Sequence, residues 1–563
     1  MAQDSSPDDV ASTHSLPPGT VHLVDLEGTM ATKHADAKDA RDIVLIPRPS
    51  DDPEDPLNWS FRRKILATSC VVVYTILLAI PSSAVYSVVT PIRKATGLTL
   101  TDLNNGTGIM FLFYGWGCVL WQPLALQYGK RPAYLFSLVA NIIIMATAPL
   151  CTTTHTYQVS RILLGLFGSP VESLCEISIT DIWFTHERPK YMAWYGWSLA
   201  LTGKLAPMIS GFINGGMGWE WTLWWCAIFN GIAFVYCFLF MEETNYDRKH
   251  VNDAVVHAED PASESVQEKT MSDSVGHASS ANKSLDGKPS PQSTSGSDIE
   301  EGAVMKPRKT YWQKLSLKDK PRPNRILDIA IAPFKGFLYP PVVYAGLMYG
   351  ANSLVWSGVQ NATAGTVYTT MYGFSTTMVS GAYAAGVIGT ITGGYYSGKV
   401  GRILTVRLAR RNGGISEPEH TLYLFAASMV LVPFSLVLYG VGVVRHIHWF
   451  GLVFSQFLLA NSNALCVSAA LNYAISSYRE LSGGMVVTCV LIRNTLSFAV
   501  NYAITPWLEA TGYQNTYITV AVIGFVWNAS LFGMVRWGRG FREATAERYW
   551  KDVRRAREKG LSH

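Results

Sequence analysis

Apolar residues in this chain gather in long runs, and polar residues collect in the short connections between them. A run of about 20 apolar residues spans the ~30 Å hydrocarbon layer of a bilayer as a helix. Helix is the economical backbone there, because every amide left unpaired in lipid is costly. The pattern predicts twelve spans, near residues 65–89, 103–126, 132–150, 157–184, 191–213 and 222–240, then 337–360, 374–397, 422–444, 449–477, 485–508 and 516–537. Two polar stretches interrupt it. Residues 1–62 and 243–332 are rich in Ser, Asp, Glu and Gly, with too few apolar residues to offset the entropy of ordering, so both are expected to be disordered. The expected organisation is a tail (1–62), a six-helix half (63–242), a linker (243–332), a second six-helix half (333–538) and a basic tail (539–563). An all-α membrane protein of two pseudo-symmetric halves is the layout of a transporter that holds its substrate between them.

Orientation follows from Lys and Arg, which concentrate in short cytoplasmic connections. With the N-terminus inside, the cytoplasmic side receives Arg62, Arg63, Lys64, Lys130, Arg131, Arg188, Lys190, Lys399, Arg402, Arg407, Arg410, Arg411, Arg479, Arg536, Arg539 and Arg542. Only Arg93, Lys94 and Arg445 fall outside, so both termini are expected in the cytoplasm. The opening MAQDSSPDDV is acidic and polar, which leaves insertion to the first span. An internal echo links the halves: LALQYGKRPAY follows the second span and GGYYSGKVGRI the eighth. Each places a glycine beside basic residues at an expected cytoplasmic turn (Gly129, Lys130 and Arg131; Gly401 and Arg402). An inner gate and simple positive-inside topology both account for that.

Composition narrows the chemistry. The 563 residues are 48% hydrophobic and 15% charged, and the eight cysteines stand alone in or beside apolar runs. No disulfide framework, metal site or cofactor is expected. A nucleotide loop and a nucleophile–base spacing are absent from the sequence, which disfavours an ATP-driven pump and an enzyme. The formal charge of +5 resides largely in loops and tails and implies no nucleic-acid partner.

The fourth span, RILLGLFGSPVESLCEISITD, keeps Arg161, Glu172 and Glu176. On a helix these share a stripe with Gly165 and Gly168, and such a stripe belongs toward the bundle interior or water. Arg161 and Glu172 lie about 16 Å apart along the axis, so each requires another partner. A desolvated Glu172 or Glu176 is a candidate proton carrier, and Glu172 also a candidate counter-charge for a cationic substrate; a fixed hydrogen bond to a neighbouring helix is the competing role. Lys204 in the fifth span is either a substrate contact or a snorkelling or paired lysine. Arg493 in the eleventh fits a structural or gating role. Tyr344, Tyr349, Asn352 and Trp356 in the seventh span and Asn461, Asn463, Asn472 and Tyr473 in the tenth are cavity candidates, although bundle cores also use Asn between helices. Asn105 and Asn361 begin Asn-x-Thr glycosylation patterns in expected outer loops.

From DPLNWS (55–60) onward the chain resembles a fungal major facilitator superfamily transporter, of the twelve-helix drug:proton antiporter type and its histidinol- and polyamine-permease-like branch. DPLNWS, the fourth-span sequence, EETNYDR (242–248), ARRNGGISEPEH (409–420) and LIRNTLSFA carry that resemblance. It implies that Arg161 and Gly165 match a proton-coupling pattern and that Ala206, Pro207 and Gly211 match an antiporter pattern lacking its first glycine. Gly129, Lys130 and Arg131 match the loop signature, with Leu126 in its acidic slot; Ser397-Gly398 replaces a Ser-Asp pair, and Ser476 stands where relatives carry an acid. Three inner-gate carboxylates are therefore missing, which concentrates proton coupling on Glu172 and Glu176.

The expected function is a proton-coupled transporter exporting a small organic molecule (a drug, toxin or secondary metabolite) across a fungal plasma membrane. Its expected partners are protons, substrate and the bilayer, and it is expected to act as a monomer. Alternating access would proceed around a cavity bounded by spans one, four, seven and ten. Uptake of polyamines or other cationic metabolites is the alternative within the class, and a non-transporting sensor the alternative outside it.

Overall fold

The computed structural model describes residues 17–22, 52, 54–184, 187–246, 311–316, 324–412 and 415–558. Most of the tail and linker expected to be disordered lies outside the described residues. Eight helical stretches are long and apolar enough to cross a membrane, or nine when the bent pair Ile326–Gly336 and Pro340–Thr370 counts as one. Two further helices, Arg188–Met217 and Thr376–Arg411, occupy the expected fifth and eighth positions, their apolar character diluted by Gly, Ser and charged ends. The last stretch contains two spans, because Gly512 at φ 73° reverses the chain inside Ser482–Ala529. Twelve spans in the expected order result among the described residues.

Turn chemistry sets their ends. Thr99 caps Leu100–Tyr128 through a reciprocal bond with Asp102, and Gly129 at φ 116° turns the chain into Lys130–Thr147. In the first half, span 2 packs on span 4 where Gly165 meets the backbone of Met110. In the second half, span 8 packs on span 10 in the same way, with Gly389 and Gly393 against the backbone at Phe457 and Asn461. Small residues let helix backbones approach in lipid, where apolar burial gives helices no reason to associate.

The sequence expectation fails in three places. GGYYSGKVGRI is not a turn: Thr376–Arg411 runs unbroken for 36 residues, about 54 Å at 1.5 Å per residue, so Gly401 is helical and Arg402 exposed. Glycine permits a turn but does not impose one, and the chain bends only after Arg411. Asn105 and Asn361 lie within helices Leu100–Tyr128 and Trp356–Thr370 rather than in outer loops, and Asn361 is buried. Finally, Val21–His22 in the expected disordered tail pairs antiparallel with Ile415–Ser416. Arg542, wholly buried, anchors this segment: it donates to the Pro18 carbonyl at 2.7 Å and to Glu419 at 2.7 and 2.9 Å. Backbone pairing and one buried ion pair hold a peptide that its apolar content could not.

Other acids meet the basic residues at the ends of spans 1 and 3. Lys130 pairs with Asp181 at the end of span 4. Both oxygens of Glu243 accept from backbone amides at the start of span 3, Oε1 from Lys130 at 3.1 Å and Oε2 from Arg131 at 3.0 Å. Arg131 donates to the carbonyls of Phe238 and Leu315, and Arg63 pairs with Glu54 and Glu242. The EETNYDR sequence thus binds the ends of spans 1, 3 and 6 together.

Candidate substrate site and the charges around it

Span 4 is two helices, Thr154–Gly168 and Pro170–Ile182. Pro170 lacks an N–H and takes the first position of the second helix, which leaves Glu172 in that helix's first turn, where a negative charge meets the positive end of the helix dipole. Glu172 Oε1 accepts from an Nη atom of Arg493 in span 11, making an ion pair across the two halves. The other Nη donates to the Tyr349 hydroxyl at 2.5 Å. The pair is incompletely satisfied, because Glu172 Oε2 and Arg493 Nε are buried without a hydrogen-bond partner. Glu176, one turn further, is buried, feels both Glu172 and Arg493, and makes no hydrogen bond or ion pair among the described residues.

Arg161 stands apart from this group, its guanidinium 4.9 Å from the centre of the Tyr157 ring. The expected separation of Arg161 from Glu172 therefore holds, and each has found a different neighbour. Pro207 keeps a helical path in span 5, its carbonyl accepting from Ser380 of span 8 at 3.3 Å, and Gly211 abuts the same serine.

A cavity of about 110 Å³ opens between the halves beside the Arg493 pair. At roughly 10–15 Å³ per water on the same measure, it has room for a small organic solute. Spans 1, 2, 5, 7, 10 and 11 line it; span 4, expected to bound it, does not, and its Glu172 meets the lining residue Arg493. Of the expected binding residues, Lys204, Tyr349 and Asn463 line the cavity, as does Arg493. Glu172, Asn352, Trp356, Asn461 and Asn472 are not among its lining residues. Asn461 instead donates to Thr392 at 2.9 Å, and Asn472 is exposed.

Span 7 widens into a π-helical turn at Ala351–Val355, a local irregularity that often marks functional sites. Asn463 of span 10 donates to the Ser353 carbonyl there at 2.9 Å and to Ser357 Oγ at 3.3 Å. Ser353, Ser357, Asn361, Ser497 and Asn501, not among the expected binding residues, also line the cavity. Their signal was present: 353, 357 and 361, like 493, 497 and 501, recur at intervals of four and so share a helix face.

The comparisons agree with this architecture. The family model of the Major Facilitator Superfamily matches residues 71–415. The chain belongs to the Major Facilitator Superfamily. An MFS-type transporter of Schizosaccharomyces pombe, described as uncharacterized, is 26% identical over 550 residues, 95% of this chain and 94% of its own. Efflux pump bik6 of Gibberella fujikuroi is 31% identical over 199 residues, 35% of this chain and 41% of its own. A partially occluded inward-open structure of the xylose transporter XylE from E. coli matches with a TM-score of 0.51 at 12% identity, covering 84% of this chain and 97% of that one. That likeness shows the fold alone. The family model and the curated relatives place the chain among membrane transporters.

Proposed function

We propose that this protein is a proton-coupled secondary transporter that exports a small organic molecule through the central cavity by alternating access. The observation that carries the reading is the buried Glu172–Arg493 pair, which bridges the two halves beside that cavity. Protonation of Glu172 removes one charge of the pair, loosens the link between the halves and frees Arg493 toward the cavity. Glu176, without a partner one turn away, is a second proton acceptor within reach. Similarity over a third of the chain to an efflux pump supports the outward direction. The distribution of Lys and Arg supports cytoplasmic termini, and export from the cell would place the protein in the plasma membrane.

Vesicles carrying the purified protein test this. An imposed pH gradient should drive substrate flux in the wild type, and Glu172→Gln should fold yet lose the dependence on the gradient. Flux indifferent to the gradient, or a Glu172→Gln variant coupled like the wild type, would overturn the proposal.

A further inference from the structure

Lys204 lies in the middle of span 5 and is 8% exposed. It has no salt bridge or hydrogen bond among the described residues, and no carboxylate is close enough to act on it. Gly386 of span 8 packs on its stem, 3.1 Å from Cδ and 3.2 Å from Cγ when a Cβ is built there, so the aliphatic part is held from behind. The lysine is one of the residues lining the central cavity, and none of those residues is acidic.

The other cation of that lining, Arg493, is neutralised by Glu172. One positive charge therefore remains, in a site whose walls are otherwise uncharged and largely apolar. Ionisable groups inside membrane proteins are held by a counter-charge, by carbonyls or by water. For Lys204 the described residues supply no counter-charge. Nearby donors lack partners as well: Ser353 Oγ and Arg493 Nε are buried in the same wall without a hydrogen bond. Low-dielectric walls carrying one sign of charge concentrate ions of the opposite sign.

We propose that the cavity selects a small organic anion, such as a carboxylate, with Lys204 as its counter-charge and Ser353 and Arg493 as further donors. This rests on the reading that the cavity is the transport site, and names the substrate class it takes. A cationic substrate would meet Lys204 with no acid in the wall to offset it: Glu172 is engaged behind Arg493, and Glu176, one turn further along span 4, does not line the cavity.

Cavity electrostatics can be measured without knowing the substrate. Ser357→Cys, with Ala200→Cys as a second position, places a thiol in the wall; none of the eight native cysteines lines the cavity, so the parent protein provides the blank. The full chain in lipid nanodiscs is treated with methanethiosulfonates of similar size, one anionic (sulfonatoethyl) and one cationic (trimethylammonioethyl). Rates are normalised to a free thiol. The anionic reagent should react at least about tenfold faster, as expected for one charge acting at an effective dielectric near 20. Lys204→Met should abolish the preference and Lys204→Arg preserve it. Equal rates, a faster cationic reagent, no anionic reaction at either position, or a ratio unchanged by Lys204→Met would overturn the inference. No gradient is applied, so failure here is distinct from failure of proton coupling, which Glu172→Gln tests in the flux assay.

Discussion

Removing one partner of the Glu172–Arg493 pair tests whether it joins the halves energetically. Both side chains are almost wholly buried, at 6% and 4% exposure, so solvent can replace neither partner. In Glu172→Leu, Arg493 keeps the Tyr349 hydroxyl at 2.5 Å and a long contact with Asn494 at 3.4 Å, but loses its paired carboxylate, Glu176 one turn away making no ion pair with it. Leaving a buried charge uncompensated costs about 3–5 kcal/mol. Arg493→Met strands the carboxylate instead, which can neutralise itself by taking a proton, so the cost falls to the ~1–3 kcal/mol of a buried acceptor left unsatisfied. In the double variant two apolar side chains meet, a replacement that is often neutral or stabilising for buried ion pairs. The single losses should therefore not add, and the double variant should recover at least about 2 kcal/mol relative to their sum. Reversible unfolding by SDS in mixed micelles reads all four corners of the cycle. Additivity within about 0.5 kcal/mol would refute the claim that the two side chains are coupled.

Four further variants probe the packing. Glu419→Ala leaves the fully buried Arg542 without its bidentate partner and should cost about 3–5 kcal/mol, read as a lower melting temperature; Arg542→Ala should also release residues 17–22 to limited proteolysis. Gly115→Val should weaken the contact between spans 2 and 11, since even a Cβ there would lie 2.7 Å from that of Asn494; overpacking of this kind costs about 1–3 kcal/mol, and wild-type stability would refute it. Glu243→Ala removes the acceptor for the Lys130 and Arg131 amides and should cost about 1–3 kcal/mol, seen as faster amide exchange at the start of span 3.

The architecture was legible because it depends on run length, which a sequence states directly. Spans 5 and 8 show the same rule at its weakest, since Gly, Ser and terminal charge dilute them. The site was legible only one residue at a time. Lys204, Tyr349, Asn463 and Arg493 announce themselves as polar groups in apolar surroundings, but their partners are set by packing. Glu172 and Arg493 are 321 positions apart, and no spacing rule joins them. Arg542 shows the same limit: it reads as one of many cytoplasmic positive charges, yet it is buried between Glu419 and Pro18. Local polarity likewise misassigned 17–22, whose order comes from pairing with residues nearly 400 positions away.

Helix irregularities bracket the cavity and its ion pair. Span 4 breaks at Ser169–Pro170 just before Glu172, and span 7 loosens into a π turn at Ala351–Val355, beside Tyr349. Both irregularities have local causes or compensation: a proline in the first, and in the second an Asn463 amide that satisfies the Ser353 carbonyl. A regular helix offers a substrate only side chains, whereas a broken one also offers backbone groups and a dipole end. Glu172 already occupies the dipole end in span 4, where its side chain meets both the positive helix terminus and Arg493. In the proposed cycle, an anion entering beside Lys204 would draw Arg493 toward the cavity and away from Glu172, which would link substrate occupancy to protonation through a single arginine.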